Sequence, residues 1–144
     1  MIVGFIIENI KSKRVKNIPK TRIDINSVPV LKSVKEIESP SFRKEKTIEI
    51  GFDFITKYNP NIAEIKVNGY IIYTGENVNE QLEIWKKDKK ILEEIEIETK
   101  NFLLRKCLNL EIRLSEEMQL PPPIMFPRVI PKRKTNDENL SYIG

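Results

Sequence analysis

Asn101 to Pro127 reads NFLLRKCLNLEIRLSEEMQLPPPIMFP. Phe102 and Leu103, then Cys107, Leu110 and Leu114, follow at steps of three or four, the spacing of one helix face, and Leu104 and Leu108 widen the stripe. Ile91 and Ile95 begin it upstream, which predicts a helix over Ile91–Glu117. Pro121-Pro122-Pro123 must end that helix, because proline lacks an N–H and disfavours helical backbone in the residue before it. Ile124-Met125-Phe126 then forms a short extended apolar piece, closed by Pro127. A helix with one broad apolar face needs a second layer to cover.

Working back from the helix, the chain supplies strands. Thr47–Lys57 alternates strictly, with Ile48, Ile50, Phe52 and Phe54 on one face and Glu49, Gly51 and Asp53 on the other. Ile62–Thr74 repeats the pattern with Ile65, Val67, Gly69, Ile71 and Tyr73, and the turn Tyr58-Asn59-Pro60-Asn61 joins the two as a hairpin. Ile2–Ile10 and Arg22–Ile25 are further strands, and Pro29 suits the second of them to a sheet edge. Val30–Lys46 has scattered apolar residues broken by Ser39-Pro40-Ser41, and it reads as a long crossover loop. Asn77 or Asn79 can cap a short helix running to Lys90.

With 144 residues, 40% hydrophobic and 32% charged, one domain with a real core is expected. No apolar run nears the roughly 20 residues of a membrane span. Ile2–Ile7 is short, with no small-residue cleavage site behind it, so no signal peptide is expected. A lone Cys107 forms no intrachain disulfide and suggests a reducing, cytoplasmic setting. The absence of histidine removes the commonest general base and metal ligand, which argues against a typical hydrolase and leaves carboxylate chemistry open; the expectation is a non-enzyme with no catalytic residues, metal or cofactor.

The net charge of +4 is uneven: +6 over residues 1–46, −4 over 47–120 and +2 beyond. Lys11–Lys16 and Pro131–Lys134 could touch phosphates, which keeps nucleic acid open as a partner, against a reading as solvated loop and tail. Glu93, Glu94, Glu96 and Glu98 lack the spacing of an oxygen cage and read as a solvated face. Cys107 lies inside the apolar stripe and reads as a buried structural thiol. Leu120–Phe126 sets Met and Phe beside rigid prolines, an adaptable apolar surface with little backbone entropy to lose on binding. The competing reading packs Ile124 and Phe126 back under the sheet.

Arg105-Lys106-Cys107, followed thirteen positions after the cysteine by Leu120-Pro121-Pro122, resembles the closing helix and Leu-(Pro/Ala)-Pro segment of the SecB-type export chaperones. The resemblance implies an α+β fold: a four-stranded antiparallel sheet with long helices packed on one side. It implies a single SecB-like domain over 1–130, followed by a flexible polar tail over 131–144. It further implies an ATP-independent holdase that binds unfolded or precursor polypeptides as a homotetramer, a dimer of dimers. The family's metal-binding tail, which docks the export motor, has no counterpart after Cys107. By region, Val28, Leu31, Val34, Phe42, Met118, Leu120, Met125 and Phe126 are the expected polypeptide-binding residues. A basic nucleic-acid-binding protein and a structural or regulatory interaction module are the alternatives.

Overall fold

The computed structural model describes residues 1–38 and 45–132. Strands β1 (Ile2–Arg14), β2 (Asp24–Ile37), β3 (Thr47–Asn59) and β4 (Ala63–Thr74) precede helices α1 (Val78–Asp88) and α2 (Glu93–Glu117). The strands form one antiparallel sheet in the order β1-β4-β3-β2. The architecture is α+β, with the four-stranded sheet and flanking helices that the sequence implies.

The centre of the sheet follows from alternation. Ile48, Ile50, Phe54 and Thr56 of β3 sit opposite Tyr73, Ile71, Val67 and Ile65 of β4, so two inward rows meet in register. Phe52 lies opposite Gly69. A Cβ there would collide with the Ile6 carbonyl oxygen, where β1 shifts register between Ile7 and Asn9. Glycine lets β1 close in at its bulge. Phe5 exploits the approach: its ring stacks on Phe52 at 5.6 Å and meets Phe102 edge-on at 5.2 Å, joining β1, β3 and α2.

Helix α2 covers the inward rows. Its buried residues are Ile95, Thr99, Leu103, Cys107, Glu111 and Ser115, each four positions after the last. Such a row is inclined about 26° to the helix axis, so the contact crosses the helix obliquely. Phe102, Leu110 and Leu114 flank this row as half-buried residues, and three of its six members are polar. The Thr99 hydroxyl donates back to the Ile95 carbonyl at 2.7 Å. At the C-terminus Gln119 turns left-handed (φ 55°), and the Leu120 N–H returns to the Ser115 carbonyl at 2.9 Å. Arg14, at the end of β1, donates to the Met118 carbonyl at 2.7 Å, placing a cation at the negative end of the helix.

Two sequence expectations are corrected. β2 runs through Ile37, so Val30–Ile37 is strand rather than crossover loop. Ile25, Ser27, Pro29 and Leu31 face inward, a register shift follows between Leu31 and Ser33, and Val34 then takes the inward place. The bulge reverses the phase of the alternation, which is why the apolar residues look scattered in sequence. The chain instead crosses from one sheet edge to the other between β1 and β2, over residues 15–23. Ile18 and Ile23 of this crossover pack with Tyr58, Ile62, Ile65 and Leu120 in a second small core. The expected tail over 131–144 lies mostly outside the described residues, as does Ser39-Pro40-Ser41.

Candidate functional site

An open groove of about 620 Å³ runs between β2 and the turn that links α1 to α2. Val28, Pro29, Val30 and Leu31 form one wall; Trp85, Lys89, Lys90 and Ile91 form the other, with Glu96 and Lys100 at one end. Side chains of consecutive strand residues alternate between faces. Four consecutive residues can line one groove only if it follows the free edge of the strand, and β2 is an edge strand.

The opposite wall is fixed in place. Lys89 adopts φ 55° and ends α1, with its N–H bonded to the Trp85 carbonyl at 2.9 Å. Its ammonium stands 5.3 Å from the Trp85 ring centroid. Gln81, fully buried, donates to the Lys90 carbonyl at 2.9 Å and accepts from the Leu92 N–H at 2.7 Å. One side chain thus satisfies an acceptor and a donor of the turn and holds Lys90–Leu92 against α1.

The eight expected binding residues do not converge. Val28, 51% exposed, and Leu31 line the groove. Val34, 6% exposed, belongs to the main core, and Leu120, also 6%, packs on Tyr58, Ile62 and Ile65. Leu120 is held there because the Tyr58 hydroxyl donates to the next carbonyl, that of Pro121, at 2.6 Å. Met118 is half-buried in the same cluster. Met125 and Phe126 are 97% and 52% exposed, so Phe126 does not pack away under the sheet. They lie past the C-terminus of α2, about 25 Å of helix beyond Lys100 at the end of the groove. Phe42 lies outside the described residues. Sequence reading passed over Trp85, Lys89, Lys90 and Ile91. The available signal was the single tryptophan beside the run Lys86-Lys87-Asp88-Lys89-Lys90.

The basic stretch Lys11–Arg14 extends β1, and Arg14 is engaged at the end of α2. Burial pushes the Cys107 thiol up to about 12, with the nearby Glu111 carboxylate adding to the effect, which makes it a poor nucleophile. Glu111 is itself fully buried, and burial raises its carboxyl to about 7 against the opposing hydrogen bond from Thr56. Among the described residues no group of three or more His, Cys, Asp or Glu side chains is placed to hold a metal ion. Among them, too, no helix is long and apolar enough to cross a membrane.

No protein-family model matches the chain, and no curated protein matches it in sequence. Among solved structures it resembles the Mycobacterium tuberculosis Rv1957 SecB-like chaperone in complex with a ChAD peptide from the Rv1956 HigA1 antitoxin. The match covers 92% of each chain with a TM-score of 0.52 and 12% sequence identity. At that identity the likeness concerns the fold: the four-stranded antiparallel sheet with two helices is shared with a SecB-like chaperone.

Proposed function

We propose that the chain is an ATP-independent molecular chaperone, a holdase that binds unfolded or precursor polypeptides, with the groove beside β2 as a client site. The observation that carries this reading is the open groove itself. Its apolar side chains stay exposed along a free strand edge, under the chain's only tryptophan. The fold resemblance supports it, since the similar SecB-like chaperone is solved with a peptide bound.

Val28, Leu31, Trp85 and Ile91 offer apolar contact that any extended client segment can use, at roughly 25 cal/mol per Å² removed from water. The charged residues around the groove keep this surface from associating with itself. Met125 and Phe126 would give a second contact at the far end of α2. One groove of this size binds weakly, so the working form proposed is a homotetramer, a dimer of dimers, whose grooves act together through avidity. The half-buried row Leu104, Leu108 and Ile112 along α2 is a surface that such an assembly would cover. The reading makes the protein a non-enzyme that works in the cytoplasm, with export precursors among its clients.

The test is suppression of aggregation of a chemically unfolded protein, with Trp85 fluorescence reporting occupancy. Suppression should fall in Trp85→Ala and in Val28→Asp. No suppression at several-fold molar excess overturns the proposal. Salt-sensitive binding to duplex DNA or RNA without holdase activity would favour the basic nucleic-acid-binding alternative instead.

A further inference from the structure

We propose that this groove selects polypeptides by charge, taking extended apolar segments flanked by Asp or Glu in preference to those flanked by Lys or Arg. The inference rests on the polypeptide-binding reading above and adds the chemical class of client.

The argument is one of charge and its anchoring. Glu96 and Lys100 pair across one helical turn at 3.4 Å and largely cancel. On the strand side Lys32 is held by Asp53 at 3.0 Å and Lys35 by Glu49 at 3.2 Å, so these lysines are also compensated. Lys89 and Lys90 remain, lining the groove, and among the described residues neither forms a salt bridge. They continue the run Lys86-Lys87-Asp88, so the turn as a whole is cationic.

Both lysines sit on fixed backbone. The left-handed cap and the Trp85 ring position Lys89, and Gln81 grips the Lys90 carbonyl. A cation so anchored loses less freedom on pairing than one on a mobile loop. The two walls therefore differ: β2 presents Val28, Val30 and Leu31, and the turn presents two ammonium groups beside Trp85 and Ile91. A segment fits both walls when its apolar side chains face the strand and carboxylates lie toward the turn. A lysine in the same place meets like charge.

The probes are three end-blocked fluorescent peptides that share one apolar core and carry flanks of Asp, Gln or Lys. Binding to the full chain is read by anisotropy and by Trp85 quenching. The Asp-flanked peptide should bind about 5- to 10-fold more tightly than the Lys-flanked one at low salt, with Gln between, and the spread should shrink in high salt. The double change Lys89→Glu with Lys90→Glu should reverse the order, and Lys89→Gln with Lys90→Gln should flatten it. Both variants leave the Gln81 main-chain bonds intact, and circular dichroism confirms the fold. Binding without charge order, or with the Lys-flanked peptide ahead, overturns the charge rule and leaves the chaperone reading standing. Absence of binding by all three overturns both.

Discussion

Replacing Glu111 with glutamine tests whether α2 stores a penalty at its centre. The Glu111 carboxylate is fully buried against β3, where the Thr56 hydroxyl donates to Oε1 and Oε2 has no partner among the described residues. Thr56 has one proton to give, so Ser27, 2.7 Å away on β2, must donate to Thr56. The nearest titrating neighbours are Tyr58 on β3 and Cys107 on α2, both raised to about 12 by burial and hence neutral across the working range. No cation offsets the charge at this point among the described salt bridges.

Burial lifts the Glu111 carboxyl from an ordinary 4.5 to about 7 in the folded chain. The folded state therefore takes up its proton first as pH falls. Stability from this group is fully present below pH 4.5 and is lost as pH rises through about 7. At 1.36 kcal/mol per pH unit the difference is about 3 kcal/mol, on the order of 10 °C in melting temperature for a chain of this size. Glu111→Gln keeps the shape, removes the titration and leaves an amide to satisfy, so the expected gain at pH 8 is about 1–2 kcal/mol. Urea unfolding of both proteins between pH 4.5 and 8 gives the answer by subtraction, which cancels the titrations they share. A wild-type curve parallel to that of the variant across this window would refute the reasoning.

Three further outcomes follow from particular contacts. Gly69→Ala should destabilise by about 2 kcal/mol or more, because the new methyl meets the Ile6 carbonyl at the β1 bulge; a change under about 0.5 kcal/mol in chemical denaturation would show that β1 moves aside without cost. Arg14→Ala should cost about 1–2 kcal/mol and raise hydrogen exchange in the last turn of α2, where the Met118 carbonyl loses its charged donor. Cys107 should resist thiol reagents at pH 8 until the chain unfolds; labelling of the native protein at the rate of a free thiol would place it outside the core.

The parts of this fold that were legible in sequence are those where one period holds unbroken. β3 and β4 alternate without a bulge between them, and their inward rows are read directly from Ile48–Phe54 and Ile65–Tyr73. β2 was illegible past Pro29 because its bulge inverts the alternation. The polar members of the buried α2 row, Thr99, Glu111 and Ser115, were illegible for another reason: Thr99 and Ser115 bond back along the helix and Glu111 reaches Thr56 on β3 through one oxygen, contacts that hydrophobic spacing does not record. The groove fared worst. Its walls come from residues 28–31 and 85–91, the second held by the turn between α1 and α2 that Gln81 secures, and no spacing along the chain announces that meeting. Leu120, the motif residue that pointed most directly to a function, proved to be a core anchor for the end of α2.

The free edges of the sheet limit how a client can be held. Both edge strands are long, and a long flat edge invites strand-to-strand aggregation. β1 breaks its edge with register shifts at Ile2/Gly4 and Ile7/Asn9, and lysines at 11 and 13 follow. β2 breaks its own with Pro29, the shift at Leu31/Ser33, and lysines at 32 and 35. Pro29 lies in the middle of the groove wall and has no N–H to give, and the bulge begins two residues later. A client laid along Val28–Leu31 can therefore form no continuous ladder with β2. Its affinity must come from side chains on Trp85, Ile91 and the strand, with the lysines of the turn setting preference. The devices that keep the edge from templating another copy of the chain thus favour weak, register-free contact, which suits a surface that must hold many sequences and release them.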